Sequence, residues 1–413
     1  MSGRQAAPGG AGGEKASSLS RGEFLKLGGL GIAGASLLVA PRTAGAQSSS
    51  YIDQRHHAGG HFSRGRQTGV AVRNGTLRLS NPRRSGDRYV GTLVSPAVST
   101  SIGFDTLLPS WEARTPPGTW VVMLVRVRSG GSWSGWMSLG PWAGTTRDVN
   151  RRSVSTTHPS WRVDVDTVVS RSGGRAQAYQ YALRLFSGSQ RASPVVRRAS
   201  VSVSDAARHS EAATGVPIRS AAGRDLRVPA RSQYAHENGG EVWCSPVSLN
   251  MVLGYWGNRT GRDAWRQPVL RTVRGTRDFG ANIWGNWPFN TAYAGHLGLR
   301  SSVRRFRSLN EIERWVDAGV PVVASVAWDN RYASRTLSNA PISWSYGHLL
   351  VVRGFRRNGD VIVNDPAGAN GSQVPRVYGR SQFARAWLAN DSWTSNRSSG
   401  VVYVVHPVNW RTP

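Results

Sequence analysis

A single cysteine, Cys244, occurs in this chain of 413 residues and restricts how the chain can be held together. One cysteine cannot form an internal disulfide, so the fold must depend on hydrophobic cores. Hydrophobic residues make up 39% of the sequence and include 17 tryptophans, which is enough to build such cores. The thiol is therefore either an inert buried group or a group that takes part in chemistry.

The pattern of hydrophobic residues divides the chain into two unlike halves. Residues 51–205 alternate short apolar segments with Gly, Ser, Pro and Asn turns, as at residues 120–125 and 179–186. Many short strands with regular turn signals predict an all-β, sandwich-like domain. Residues 206–229 show little periodicity and are interpreted as a linker. Residues 230–413 mix helical and strand patterns, which predicts an α+β domain.

Residues 1–46 carry the features of an export signal. Their apolar run, residues 27–40, is too short to cross a bilayer as a helix, and Ala-Gly-Ala at residues 44–46 fits a cleavage site. Residues 20–26 are similar to a twin-arginine signal, although Gly22 replaces the second arginine, so the twin-arginine and general secretory routes both stay open. We expect a secreted or cell-wall-associated bacterial protein, with no transmembrane segment after the signal is removed.

The strong positive charge indicates the chemical class of the partners. The formal net charge is +29, and 52 basic residues include only two lysines. Such a surface attracts anions, and we expect an anionic cell-wall polymer as a partner. No nucleic-acid-binding motif accompanies the charge, so a specific nucleic-acid partner is not predicted.

Neither a metal nor a cofactor is predicted. His56, His57 and His61 lie close together in the sequence, but no acidic or cysteine cluster is near them. Five tryptophans between residues 111 and 142 have strand-like surroundings and are interpreted mainly as core residues. A glycan-stacking face is the alternative interpretation of these tryptophans.

Cys244 lies at the predicted N-terminus of a helix. Pro246 suits the first helical turn, where its missing N–H is no loss, and apolar residues repeat at helical spacing from Val247 to Tyr255. At a helix N-terminus the dipole and the free N–H groups stabilise a thiolate. The same N–H groups can contribute to an oxyanion hole.

Two apolar segments further along the chain predict a β-hairpin with His348 at its start and Asp365 at its end. A two-residue turn at residues 358–359 would place Asp365 opposite Val352. That position is four residues from His348, so we predict a longer loop that closes the gap. The even offset keeps both side chains on one face. A thiol needs a base that removes its proton, and the base needs a partner that fixes its tautomer. Cys244, His348 and Asp365 supply the thiol, the base and the partner in that order.

Three motifs carry a resemblance to a known family: WCSPVSLNMVL at residues 243–253, YGHLLVVRG at residues 346–354 and VNDP at residues 363–366. In this order they resemble papain-like cysteine peptidases, and most closely the bacteriocin-processing (double-glycine) peptidase-like group. The resemblance covers residues 230–407. It implies a papain-like fold and cofactor-free hydrolysis of a peptide or protein substrate.

The resemblance also implies a fourth site residue. Gln233, eleven residues before Cys244, would supply the side chain of the oxyanion hole, and Asn238 is the alternative. Ser245 stands where many relatives have glycine. Two other functions stay open: a peptidoglycan amidase or endopeptidase of the same fold, and a catalytically inactive protein that binds the cell wall.

Overall fold

The computed structural model describes residues 51–147, 149–208, 214–236, 239–388 and 399–413. The predicted export signal lies outside these residues. Within the described part of the chain, no helix combines the length and the hydrophobicity needed to span a bilayer.

The described residues up to Ser204 form a β-rich region of antiparallel strands. Its strands are β1 (Ile52–His57), β2 (Arg66–Thr68), β3 (Val70–Arg73), β4 (Thr76–Leu79), β5 (Arg83–Ser85), β6 (Arg88–Val94), β7 (Val98–Phe104), β8 (Thr106–Arg114), β9 (Thr119–Ser129), β10 (Ser132–Trp133), β11 (Met137–Trp142), β12 (Trp161–Asp164), β13 (Thr167–Ser170), β14 (Ala176–Ser187) and β15 (Val195–Ser204). One short helix, α1 (Gly59–Ser63), follows β1.

Two sheets make up this region. The first has the order β12-β13-β8-β15-β4-β3, with β1 also paired to β15. The second has the order β10-β9-β14-β6-β2, with β11, β5 and β7 paired at its sides. Alternate side chains, such as Leu107 on β8 and Val121 and Met123 on β9, are buried in one hydrophobic core that both sheets share. This shared core accounts for the alternating apolar pattern of the sequence.

The described residues from 214 onward form a second region, which contains both helices and a sheet. Its elements are α2 (Cys244–Thr260), α3 (Val269–Thr276), α4 (Trp287–His296), β16 (Arg300–Arg305), α5 (Leu309–Asp317), β17 (Val322–Asp329), β18 (Trp344–Phe355), β19 (Val361–Asn364), β20 (Pro375–Tyr378), α6 (Arg380–Leu388) and β21 (Val401–His406). The antiparallel sheet has the order β16-β21-β17-β18-β19-β20. The predicted division into a β-rich and a mixed region is confirmed.

Helix α2 is the centre of the second region. Every residue from Ser245 to Gly257 is buried, so the helix is covered on all sides rather than along one stripe. The helix packs against β18, and the Oγ of Ser248 donates a hydrogen bond of 3.0 Å to the carbonyl of Leu349. This contact fixes the start of α2 beside the strand that carries His348.

The predicted linker is a connector over only part of its length. Gly223 N donates to Phe355 O, and Leu226 N donates to Arg353 O, so this segment pairs with the end of β18. Ala221 is buried in the core of the second region. Isolated apolar residues in polar surroundings leave no periodic pattern, and the sequence therefore did not predict this packing.

Glu112 joins the two regions through buried charges. The carboxylate is fully buried, and its Oε2 lies 3.0 Å from Arg300 Nη1 in the second region. Ser301 N donates to Oε1 over 3.1 Å. From the β-rich region, the Nε atoms of Arg197 and Arg198 lie 3.9 and 3.6 Å from the same carboxylate. One anion is thus surrounded by three guanidinium groups.

Candidate active site

Cys244 is the first residue of α2, as the sequence predicted for the helix start, and is partly exposed. The chain reaches this helix through Gly239, whose φ of +113° lies in the left-handed region that favours glycine. Gly240 follows in close contact with an earlier segment, since a Cβ there would lie 2.2 Å from the carbonyl oxygen of Gln233. Glycines therefore allow the loop before the thiol to pack directly on Gln233.

His348 is held on β18 by strand pairing and by aromatic packing. It pairs with Val326 of β17, and its side chain is buried. The indole of Trp328 lies edge-on to the imidazole with ring centroids 5.5 Å apart. This contact covers the ring and restricts its rotation.

Asp365 comes directly after β19, and a bulge sets its position. Phe355 pairs with Val361, but after the register shift at Arg353 the partner of Val351 is Asn364. Continuing that register places Asp365 beside Leu350, two residues from His348 and on the same face. The predicted longer loop is found in part. Residues 356–360 form a five-residue loop between the strands, and the bulge at Arg353 moves Asp365 one further residue toward His348.

The three side chains form a hydrogen-bonded series. His348 Nε2 donates to Asp365 Oδ1 over 2.7 Å, and the same imidazole is hydrogen-bonded to the Cys244 thiol. Because Nε2 is bound to the carboxylate, Nδ1 is the nitrogen left to interact with the sulfur. Asp365 Oδ2 accepts from Tyr378 OH over 2.7 Å, and Oδ1 accepts from Ala367 N over 3.0 Å. The carboxylate is therefore fixed from three directions.

These contacts shift the pKa values of His348 and Asp365 in opposite directions. Burial alone would lower the pKa of His348, but the charge and the hydrogen bond of Asp365, together with Cys244, raise it to about 10. Burial opposes ionisation of Asp365, but His348 and then the hydroxyl of Tyr378 hold the pKa of this carboxyl below its ordinary value. At neutral pH the imidazole is therefore a cation that lies between a carboxylate and the sulfur of Cys244.

Gln233 lies close to the other site residues. Its backbone N donates to the carbonyl of Pro366 over 2.8 Å, directly after Asp365 in the chain. Its side-chain Nε2 donates to Glu241 O over 3.0 Å, and its buried Oε1 has no hydrogen-bond partner among the described residues. One amide hydrogen remains for another acceptor. The alternative, Asn238, lies outside the described residues.

Two residues of the site were not anticipated from the sequence. Trp328 lies on β17, 20 residues before His348 in the sequence, and Tyr378 ends β20, 13 residues after Asp365. Neither stands in a motif or at a recognisable turn. Only the alignment of β17, β18, β19 and β20 brings these rings to the imidazole and the carboxylate.

The three histidines of the β-rich region do not share a single centre. His56 Nδ1 lies 2.8 Å from Ser200 Oγ, whereas His57 and His61 lie 2.8 and 3.0 Å from two tyrosine hydroxyls. In the described part of the chain, no group of three or more His, Cys, Asp or Glu residues is arranged to hold a metal ion. Trp111 and Trp142 are buried in the β core, which leaves them unavailable for glycan stacking.

Replacing Tyr378 by phenylalanine is expected to lower the free energy of unfolding at pH 7 by about 1.5–3 kcal/mol, because Asp365 loses a buried hydrogen bond. The pKa of Asp365 is depressed in the folded state, so its stabilising effect is present above the unfolded value of 3.8 and is lost as the pH falls through the folded value. The difference from the unmodified protein should therefore shrink in acid. Urea unfolding at pH 7 and pH 3 measures both effects, and a pH-independent difference would contradict this role.

Comparison with known families yields two matches. Residues 225–394 match the model of the Peptidase_C39 like family, and residues 45–204 match the model of the Peptidase C39 N-terminal domain. The first match contains Cys244, His348 and Asp365, and the second covers the β-rich region. Together they support assignment to a C39 cysteine peptidase family, which acts as a hydrolase on protein or peptide substrates. No curated protein matches the chain.

Proposed function

We propose that this chain is a secreted cysteine peptidase that hydrolyses peptide bonds through Cys244, His348 and Asp365. The observation that carries the proposal is the hydrogen-bonded series from thiol to imidazole to buried carboxylate. A helix that begins at the nucleophile and packs on an antiparallel sheet carrying the base supports a papain-like fold for the second region. Two family matches support the peptidase class.

The geometry suits acyl transfer in two steps. In the resting pair His348 already carries the proton on Nδ1 and Cys244 is the thiolate, and the sulfur attacks the peptide carbonyl carbon. The backbone N–H of Cys244 and the remaining amide hydrogen of Gln233 would stabilise the oxyanion. His348 next donates its proton to the leaving amine, which releases it and leaves a thioester on Cys244.

The second step regenerates the enzyme. His348, now neutral, removes a proton from water as the water oxygen attacks the thioester carbon. Collapse of the intermediate releases the carboxylic acid product and returns the sulfur to the thiolate, with the proton on His348. Throughout, Asp365 keeps the Nε2–H in place and stabilises the imidazolium.

Export is the second part of the proposal. It rests on the apolar run at residues 27–40 and on the Ala-Gly-Ala sequence at residues 44–46. Delivery to the outside of the cell would bring the basic surface to anionic wall polymers. The net charge of +29 also favours a second candidate substrate, peptidoglycan, cleaved by the same chemistry. Digestion of purified sacculi in parallel with denatured casein separates the two substrates.

Alkylation of Cys244 by iodoacetamide at pH 6 tests whether thiol and imidazole are coupled. The unmodified protein is expected to react roughly 30- to 100-fold faster than a His348→Ala variant, because loss of the imidazolium leaves an ordinary thiol that is almost fully protonated at this pH. The rate is followed by mass spectrometry, and circular dichroism verifies that the variant is folded. Equal and slow rates in both proteins would indicate an inactive scaffold.

A further inference from the structure

A cavity of about 410 Å³ lies between the two regions and has an unusually basic lining. From the β-rich region it is lined by His56 of β1 and Arg198 of β15. From the second region it is lined by Arg300 and Arg304 of β16 and by His406 of β21. Among the described residues, no Asp or Glu side chain is part of the lining, to which Pro413, the last residue of the sequence, also contributes.

The cavity is separate from the candidate active site. Trp410, which forms part of its wall, packs against Trp256 with ring centroids 4.8 Å apart. Trp256 lies twelve residues after Cys244 on α2, which is about 18 Å along a helix that rises 1.5 Å per residue. The thiol and the cavity are thus at opposite ends of the same helix.

The arginines that line the cavity outnumber the acidic side chains that form ion pairs with them. Arg198 and Arg300 share the single carboxylate of Glu112 with Arg197. Arg304 forms no ion pair among the described residues, and its Nε donates to Ser302 Oγ over 3.1 Å. Three guanidinium groups therefore line the cavity, and the one carboxylate that pairs with two of them is shared with Arg197, which leaves an excess of positive charge among these side chains.

Burial and the excess of positive charge lower the pKa values of the two imidazoles that line the cavity. Burial, followed by the charges of Arg304 and Arg198, lowers the pKa of His56 to about 3. Burial and the same two arginines also lower the pKa of His406 to about 4, although a hydrogen bond to the Pro407 carbonyl opposes the change. Both rings are neutral at pH 7, because burial and, after it, the neighbouring guanidinium charges oppose protonation. A bound anion would offset the part that comes from these charges.

The aromatic walls add a second chemical feature. The guanidinium carbon of Arg304 lies over the Trp315 ring, 4.8 Å from its centroid, and this cation–π contact holds the group beside the indole. The terminal N–H groups of this guanidinium have the spacing that suits two oxygens of a phosphate. The volume exceeds what one phosphate group fills, and the indoles of Trp315 and Trp410 offer apolar surface to an attached organic group.

We propose that this cavity binds a phosphate group, either free or carried on a small organic molecule. Arg198, Arg300 and Arg304 bind the phosphate oxygens, and because these arginines come from both regions, the ligand connects the regions. Neither the peptidase chemistry nor the family matches assign a ligand to this place.

Titration of the full-length chain with inorganic phosphate and with glycerol 3-phosphate tests the proposal. Binding is followed by calorimetry and by tryptophan fluorescence, at constant ionic strength maintained with sodium chloride. We expect saturable binding at one site per chain and a higher melting temperature. An Arg304→Gln variant should bind at least tenfold more weakly, whereas Arg191→Gln, at an exposed arginine of the β-rich region, should bind normally.

The two ligands distinguish the sources of the phosphate. Tighter binding of glycerol 3-phosphate would identify an organic phosphate ester as the ligand, and equal affinities would identify the phosphate group alone. Arg198→Gln serves as the second variant if Arg304→Gln does not fold. No saturable binding of either compound, or equal weakening by Arg191→Gln, would overturn the proposal. Because binding is measured without substrate, the result is independent of peptidase activity.

Discussion

Replacement of Cys244 by alanine is expected to reduce kcat/KM for a protein substrate by about 10⁴-fold or more, since the chain has no second thiol that can replace the nucleophile. Alanine fits the space of the thiol, and Cys244 is partly exposed, so the free energy of unfolding should change little. Casein digestion measured over several hours, together with urea unfolding, separates lost chemistry from lost structure.

Ser245 provides the matched control for this experiment. Its hydroxyl is adjacent in the sequence but is buried and lies 2.9 Å from the hydroxyl of Tyr403, away from the reacting groups. A Ser245→Ala variant should therefore keep its activity within a few-fold while losing some stability. Full activity of Cys244→Ala, or equal inactivation by Ser245→Ala, would contradict the assignment of the nucleophile.

Replacement of Glu112 by glutamine is expected to lower the free energy of unfolding by about 3–5 kcal/mol, because three guanidinium groups lose their shared buried counter-charge. Arg197, Arg198 and Arg300 all lie within 4 Å of this carboxylate. Glutamine keeps the size of the side chain, so the loss measures charge rather than packing. Urea unfolding at pH 7, followed by tryptophan fluorescence, gives the difference.

Asp87 is the control at the surface. Its carboxylate lies 3.3 Å from Arg88 Nε, and both side chains are exposed, so Asp87→Asn should change the free energy of unfolding by less than about 0.5 kcal/mol. A loss of similar size in both variants would mean that burial of Glu112 adds nothing. The proposed effect depends on the low polarity of the interface between the two regions.

Much of the fold could be predicted from local patterns. Alternation of apolar residues predicted the strands of the β-rich region, and the helical repeat after Cys244 predicted α2 from its first residue. The packing of residues 221–228 on β18 was not predicted, because a few isolated apolar residues carry no period. The loop and the bulge between β18 and β19 were only partly anticipated, since a bulge has no fixed sequence signal.

The catalytic roles of Cys244, His348, Asp365 and Gln233 remain predictions, which the geometry of the site supports. The sequence indicated that the even offset would keep His348 and Asp365 on one face. It did not indicate how Asp365 is held, since Tyr378 lies on a different strand and shows no motif. The predicted export signal and Asn238 lie outside the described residues.

Three features could be predicted from local sequence patterns: the position of the only thiol at a helix start, the order of the candidate base and its partner, and the change from strand-like to mixed structure. These features are local, because they depend on how polar and apolar residues alternate with the period of a helix or a strand over a few positions. The tertiary structure alone decided the register of β17, β18 and β19, the contacts of Trp328 and Tyr378 and the basic cavity between the regions. Those features join residues far apart in the chain, and their positions follow from the packing free energy of whole sheets rather than from any one segment.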